Sequence, residues 1–176
     1  MKQLQRCFVA LDLPPAIIQT LEKLQEEIVL RGVSGKLTTP ENLHLTVKFL
    51  GEIDDHTLSE VTKQLQTICM QPFVVSLGKI GVFSRDSGTI IWVELCGAEK
   101  LQQAVDHALR NLFATEQRFM GHITLMRTKT PLKRIQLQAL HSDFLVDRFI
   151  LKKSTVLSSG PLYDSLEEYI LKKTIL

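Results

Sequence analysis

Along this chain the apolar residues keep two periods, and the switches between them mark out the elements. RCFVALDL (6–13) is an almost unbroken apolar run closed by Pro14 and Pro15, and predicts a buried first strand. Ile17, Leu21, Leu24 and Ile28 then recur at helical spacing over 16–30, before Gly32 stops the pattern. NLHLTVKFLGEI (42–53) alternates as a strand does, and 54–70 returns to a helical stripe with Asp54 or Asp55 placed to cap it. Strands are predicted at 73–84 and 89–97, with the turn SRDSG between them.

The second half repeats this alternation. Leu101, Val105, Leu109 and Leu112 predict a helix over 98–115, and RFMGHITLMRT (118–128) a strand. Pro131 opens a predicted short helix over 131–142, and strands at 144–157 and 162–176 are joined by SSGP. No linker or change of composition interrupts the chain. The expectation is one α+β domain over 1–176, with two pseudo-symmetric lobes. Each lobe is an antiparallel sheet with helices on its outer face, around a central cleft.

One tetrapeptide pattern occurs in both halves: HLTV at 44–47 and HITL at 122–125. Residues i and i+2 leave a strand on the same face. His44 and Thr46 therefore share one face, with Leu43, Leu45, Val47 and Phe49 turned to a core; His122 and Thr124 share another, opposite Ile123 and Leu125. Facing each other across a cleft, two imidazoles and two hydroxyls suit phosphoester cleavage without a metal. One neutral imidazole takes a proton while the other, protonated, gives one to a leaving oxygen. The ordinary histidine pKa of about 6.5 makes both forms accessible near neutrality. Each threonine hydroxyl can donate to a phosphate oxygen as charge builds on it.

Charge and cysteine content narrow the alternatives. A net charge of +2 excludes a uniformly basic nucleic-acid coat, though not a local basic patch. Cys7, Cys69 and Cys96 are scattered, with no CxxC, so neither a disulfide framework nor a zinc knuckle is expected. A catalytic zinc normally needs three protein ligands, and no H-E-x-x-H pattern supplies them. The first apolar run breaks at Asp12 and Pro14, and no apolar stretch reaches membrane-spanning length. A cytoplasmic protein with no cofactor and no membrane contact is expected, acting as a monomer.

Five stretches in order resemble the 2H phosphoesterase superfamily, and within it the RNA 2′,3′-cyclic phosphodiesterases once called 2′-5′ RNA ligases. They are RCFVALDLP, ENLHLTVKFLGEI, IGVFS, HITLMR and LKKSTVLSSGPLYDSL. The resemblance implies hydrolysis of an RNA 2′,3′-cyclic phosphate to a 2′-phosphomonoester, with RNA or oligonucleotide termini as the partner. It also implies that His44 is the proton donor and His122 the proton acceptor; the two motifs are too alike for the residues themselves to decide this. The family usually has a proline before the second histidine. Gly121 stands there instead, and predicts a looser lead-in to that strand.

Three more residues are candidates for substrate binding. Strand parity puts Lys48 on the cleft side as a phosphate-binding cation. Arg127 resembles the arginine that follows the family's second motif, but parity turns it away from His122 unless the strand bulges near Met126. Phe8 is a candidate to stack on a base, with core packing as its other use. His56, His107 and His141 lie outside any H-x-T and read as surface or structural residues. The lysines of LKKS (151–154) and LKKT (171–174) suggest a weak basic rim. Competing functions are cleavage or ligation of 2′-5′ bonds, and a module that holds RNA ends without turnover.

Overall fold

A computed structural model describes residues 4–85, 88–129, 131, 132, 135, 137–158 and 160–172. Among these, β1 spans Gln5–Asp12, β2 Lys36–Leu37, β3 His44–Ile53, β4 Phe73–Arg85, β5 Gly88–Cys96, β6 His122–Thr128, β7 Asp143–Val146, β8 Arg148–Leu157 and β9 Gly160–Ile170. Three helices accompany them: α1 (Pro15–Leu30), α2 (Asp55–Leu65) and α3 (Glu99–Leu109).

The strands form one antiparallel sheet in the order β7-β4-β5-β6-β3-β1-β8-β9, with β2 paired to β6. Only Asp147 separates β7 from β8, yet β4, β5, β6, β3 and β1 lie between them along the sheet. A sheet can satisfy that only by curling until its ends approach. The far side of the curl is stitched by Leu171 N donating to the Asp147 carbonyl at 2.7 Å and Lys172 N donating to the Met70 carbonyl at 3.0 Å.

The strand order is symmetric about the β6–β3 junction, so β3, β1, β8 and β9 make one lobe and β6, β5, β4 and β7 the other. Each lobe's crossover helix serves the opposite lobe: α1, leaving β1, touches β6, whereas α3, leaving β5, touches β3. α1 forms because Ile17, Leu21, Leu24 and Ile28 bury one stripe, Pro15 begins it and Gly32, at φ 82°, ends it. The side chain of Asp54 caps α2 by accepting from Thr57 N at 2.9 Å. The α+β class and the paired lobes are as the sequence predicts.

One predicted element differs. Of residues 131–142, 133, 134 and 136 lie outside the described set, and the rest form no helix. They run along β4 instead: Leu77 N donates to the Ser142 carbonyl at 2.9 Å and Leu140 N to the Gly78 carbonyl at 3.2 Å. Leu132, Ile135, Leu137 and Leu140 pack on the core at uneven spacing, and the edge of β4 takes backbone bonds a helix would have kept for itself. The single predicted strand 144–157 is broken at Asp147, where the chain passes from one end of the sheet to the other.

Candidate active site

The two H-x-T segments lie side by side. β3 and β6 pair through Leu45 and Ile123, the middle residues of the two tripeptides. On that antiparallel register His44 falls against Thr124 and Thr46 against His122. Leu45 and Ile123 are both fully buried on the helix side, so all four polar side chains leave the other face, inside the curl.

Each imidazole is held by the same device. Nδ1 of His44 is 2.7 Å from the Asn42 carbonyl oxygen, and Nδ1 of His122 is 2.8 Å from that of Met120, in each case two residues upstream. A carbonyl can only accept, so Nδ1 carries the hydrogen in both rings. Nε2 is then the atom that gains or loses a proton. The Nε2 of His44 also lies 3.0 Å from Thr46 Oγ1. The neutral ring accepts from that hydroxyl, and the charged ring donates to it.

The surroundings of the two rings differ. Tyr163 and Phe8 flank His44, with ring centroids 5.0 and 5.2 Å away. Burial pushes the His44 pKa down; the Asn42 bond opposes this, Lys152 adds to the lowering, Asp12 opposes it, and His122 lowers it further. His122 is edge-on to Phe83 at 5.3 Å, and Phe83 stacks on Trp92 at 4.8 Å. Gly81, in the IGVFS stretch, makes room for that indole, because a Cβ there would lie 2.3 Å from it. A carboxylate pairs in register with each histidine, Asp12 with His44 and Glu94 with His122. Lys152 Nζ meets Asp12 at 2.6 Å, and Lys79 Nζ meets Glu94 at 3.4 Å.

The structure brings His44, Thr46, His122 and Thr124 together and sends Lys48 elsewhere. The register of β1 on β3 skips Val47, which is the extra residue of a β-bulge. Lys48 therefore turns to the helix side, where it is buried. Its ammonium pairs with Asp106 of α3 at 2.5 Å and donates to the Ala114 carbonyl at 2.7 Å. Phe49, expected in the core, is 68% exposed on the cleft side beside Phe8. Phe8 faces the cleft but is only 2% exposed, so it is the floor under His44 and offers no face to a base.

In β6 the register of β5 skips Leu125, and that bulge puts exposed Arg127 on the face of His122 and Thr124. Gly121 also differs from expectation. It is buried against the Leu95 carbonyl, where a Cβ would come within 2.3 Å of the oxygen, so the lead-in is tight rather than loose. Lys152, counted above toward a basic rim, is buried in its pair with Asp12, and residues 173 and 174 lie outside the described set. Tyr163, Phe49, Phe83, Trp92, Asp12 and Lys152 lie around the two histidines, and none of them was expected in that place. All of these but Trp92 were nonetheless inside stretches that carried the family resemblance.

Comparison with known proteins decides the family. Residues 11–92 match the model of the LigT-like phosphoesterases. A relative from Methanocaldococcus jannaschii, named RNA 2′,3′-cyclic phosphodiesterase, is 31% identical over 93% of this chain and 99% of its own. The chain belongs to the LigT-like phosphoesterases of the 2H superfamily. A second relative of the same name, from Archaeoglobus fulgidus, is also 31% identical over 93% of this chain and 99% of its own. Among solved LigT-like folds, a Thermus thermophilus protein superposes with a TM-score of 0.83 at 26% identity, covering 94% of this chain and 97% of its own. Escherichia coli LigT in complex with 3′-AMP gives 0.84 at 23% identity, covering 97% of this chain and all of its own, and so shares the fold. Among the described residues, no group of three His, Cys, Asp or Glu is placed to hold a metal ion, and no helix is long and apolar enough to cross a membrane.

Proposed function

We propose that this protein hydrolyses the 2′,3′-cyclic phosphate at an RNA end to a 2′-phosphomonoester, acting as a monomer in the cytoplasm and needing no metal. The proposal rests on one observation: two H-x-T tripeptides cross at Leu45 and Ile123, and in both histidines Nδ1 is committed to a carbonyl. Two rings that exchange a proton at Nε2 and two hydroxyls then address one phosphate. The names carried by the relatives from M. jannaschii and A. fulgidus support the substrate.

His122 Nε2 takes a proton from water as the water oxygen bonds to phosphorus. The bond from phosphorus to the 3′ oxygen breaks, and His44 Nε2 gives that oxygen its proton, leaving phosphate on the 2′ oxygen. These roles follow the family resemblance. The burial that lowers His44 favours its neutral form in the free protein, so the negative charge of the bound phosphate restores the proton it must donate. Thr46 and Thr124 donate to the non-bridging oxygens, and Arg127 contacts the RNA further along the strand.

The test is incubation with a short RNA ending in 2′,3′-cyclic phosphate, in the presence of EDTA. Turnover to a 2′-phosphate is expected. Loss of activity in chelator would remove the metal-free chemistry; inertness on this RNA with cleavage of a 2′-5′-linked oligonucleotide would overturn the substrate.

A further inference from the structure

Lys152 is a buried cation that the chemistry above leaves unused. It lies in β8, opposite Phe8 of β1, and is 6% exposed. Phe8, Ala10 and Asp12 alternate on the cleft face of β1, so Lys152 extends from below toward Asp12, the residue paired with His44. Its ammonium is held 2.6 Å from Asp12 Oδ1. A lysine is seldom buried without a reason, because removing its charge from water is costly. The equivalent place in the other lobe is built differently: Lys79 reaches Glu94 with its side chain 66% exposed. The two histidines, alike in motif and in their Nδ1 bonds, thus differ in what stands behind them.

We propose that Lys152 is a positioning residue that tunes His44: fixed on Asp12, its charge sets the pH range in which His44 carries a proton, and so separates the duties of two otherwise equivalent histidines. Among the described residues, three charged or titratable groups act on His44. Lys152 of β8 and His122 of β6 act against its protonation, and Asp12 of β1 acts for it. The Tyr163 ring of β9 packs edge-on at 5.0 Å, and the Asn42 carbonyl holds Nδ1. In a low-dielectric floor made of Phe8 and Tyr163, a charge one side chain away is worth more than it would be in water. A proton donor whose acidity is strengthened in this way, and then recharged by the substrate's own phosphate, releases its proton readily to the departing oxygen.

The separation of acid and base duties rests on the function proposed above, but the tuning itself does not, and the experiment separates the two. The imidazole signals of His44 are followed by NMR from pH 4 to 9 in the wild type, Lys152→Met, Lys152→Arg and Asp12→Asn, with His44→Gln for assignment. Removing the lysine charge should raise the His44 midpoint by about half a unit to one unit, and removing the aspartate charge should lower it by a similar amount. Lys152→Arg should keep the wild-type value. Shifts of opposite sign are not produced by a general loosening of the fold, and Asp12→Asn alters a residue that is nearly half exposed, so one arm survives if the Lys152→Met protein folds poorly. An unmoved midpoint in folded Lys152→Met, or shifts of the same sign in both variants, would overturn the proposal. If the midpoints move as expected, the pH profile of kcat/KM on a cyclic-phosphate RNA should shift with them. Midpoints that move while that profile stays fixed would uphold the tuning and count against His44 as the group whose protonation governs turnover.

Discussion

Val47 and Leu125 occupy the same place in β3 and β6, one residue after the threonine of each H-x-T, and each is the extra residue of a β-bulge. Both bulges put two consecutive residues on the helix side and return the next one to the cleft. Lys48 and Met126 are thereby buried, whereas Phe49 and Arg127 are exposed on the face that carries the two histidines. The lobes share their irregularities as well as their strands, and buried polar groups secure both. Gln25 of α1 donates to the Leu125 carbonyl at 2.7 Å, and Asp106 of α3 holds Lys48 at 2.5 Å. Each crossover helix thus pins the bulge of the lobe it serves.

The Lys48–Asp106 pair should therefore matter to stability. Removing one partner leaves an unpaired charge in the interior, which costs about 3–5 kcal/mol, and Lys48→Met should show a loss of that order in urea unfolding. Lys48→Met combined with Asp106→Leu should recover part of it. The sign with pH also follows. Burial acts to raise the Asp106 pKa, but hydrogen bonds from Lys48, the Glu116 amide and Gln102 outweigh this and hold it below the ordinary value. Its contribution to stability is complete above the unfolded pKa of about 3.9 and is lost as pH falls below that toward the folded value. Unfolding midpoints measured between pH 6 and 2.5 check this against Asp106→Asn, which should show a flatter fall.

The threonines and Arg127 should separate chemistry from binding. Thr46→Val and Thr124→Val each remove a donor to the reacting phosphate, and should lower kcat roughly 10²-fold with little change in KM. Arg127→Ala should raise KM for RNA and reduce the slope of log affinity against log salt by about 1, leaving kcat nearly intact. Steady-state kinetics at several salt concentrations distinguish the two patterns.

His44 should titrate below the ordinary histidine value in the free protein, because burial disfavours its charged form. Saturation with inorganic phosphate should move that midpoint upward, since an anion in the cleft stabilises the imidazolium. An NMR titration with and without phosphate reads this directly; an unmoved His44 would place the anion elsewhere.

Gly121→Ala should destabilise the protein by about 1–3 kcal/mol, because its Cβ would press on the Leu95 carbonyl at 2.3 Å. Thermal unfolding of the variant checks this. Unchanged stability would mean that the strand yields easily at that point.

The fold and the two histidines were legible in the sequence because period and motif are local signals. Alternation over 42–53 and 118–128 places β3 and β6, and the second H-x-T repeats the first. What the sequence concealed was where alternation breaks. A bulge leaves no mark in HLTVKF, so parity sent Lys48 to the cleft and Phe49 to the core, and the structure reverses both. Arg127 faced the cleft only on condition of a bulge, which Leu125 supplies. The segment 131–142 carried apolar residues suited to a helix, but Leu140 and Ser142 bond to β4, a tertiary partner that no local pattern announces. The aromatic walls from Tyr163, Phe83 and Trp92 come from strands distant in sequence, and only the pairing and curl of the sheet bring them to the histidines.

The central claim is that His44 and His122 together open a cyclic phosphate toward the 2′ side, and 31P NMR of the product tests it most directly. A short RNA carrying a 2′,3′-cyclic phosphate is followed with the wild type, His44→Gln and His122→Gln, all in EDTA. The account predicts conversion to the 2′-phosphomonoester resonance alone, with either variant slowed at least about 10²-fold and still folded. A 3′-phosphate product, or wild-type turnover in a folded single-histidine variant, would contradict it.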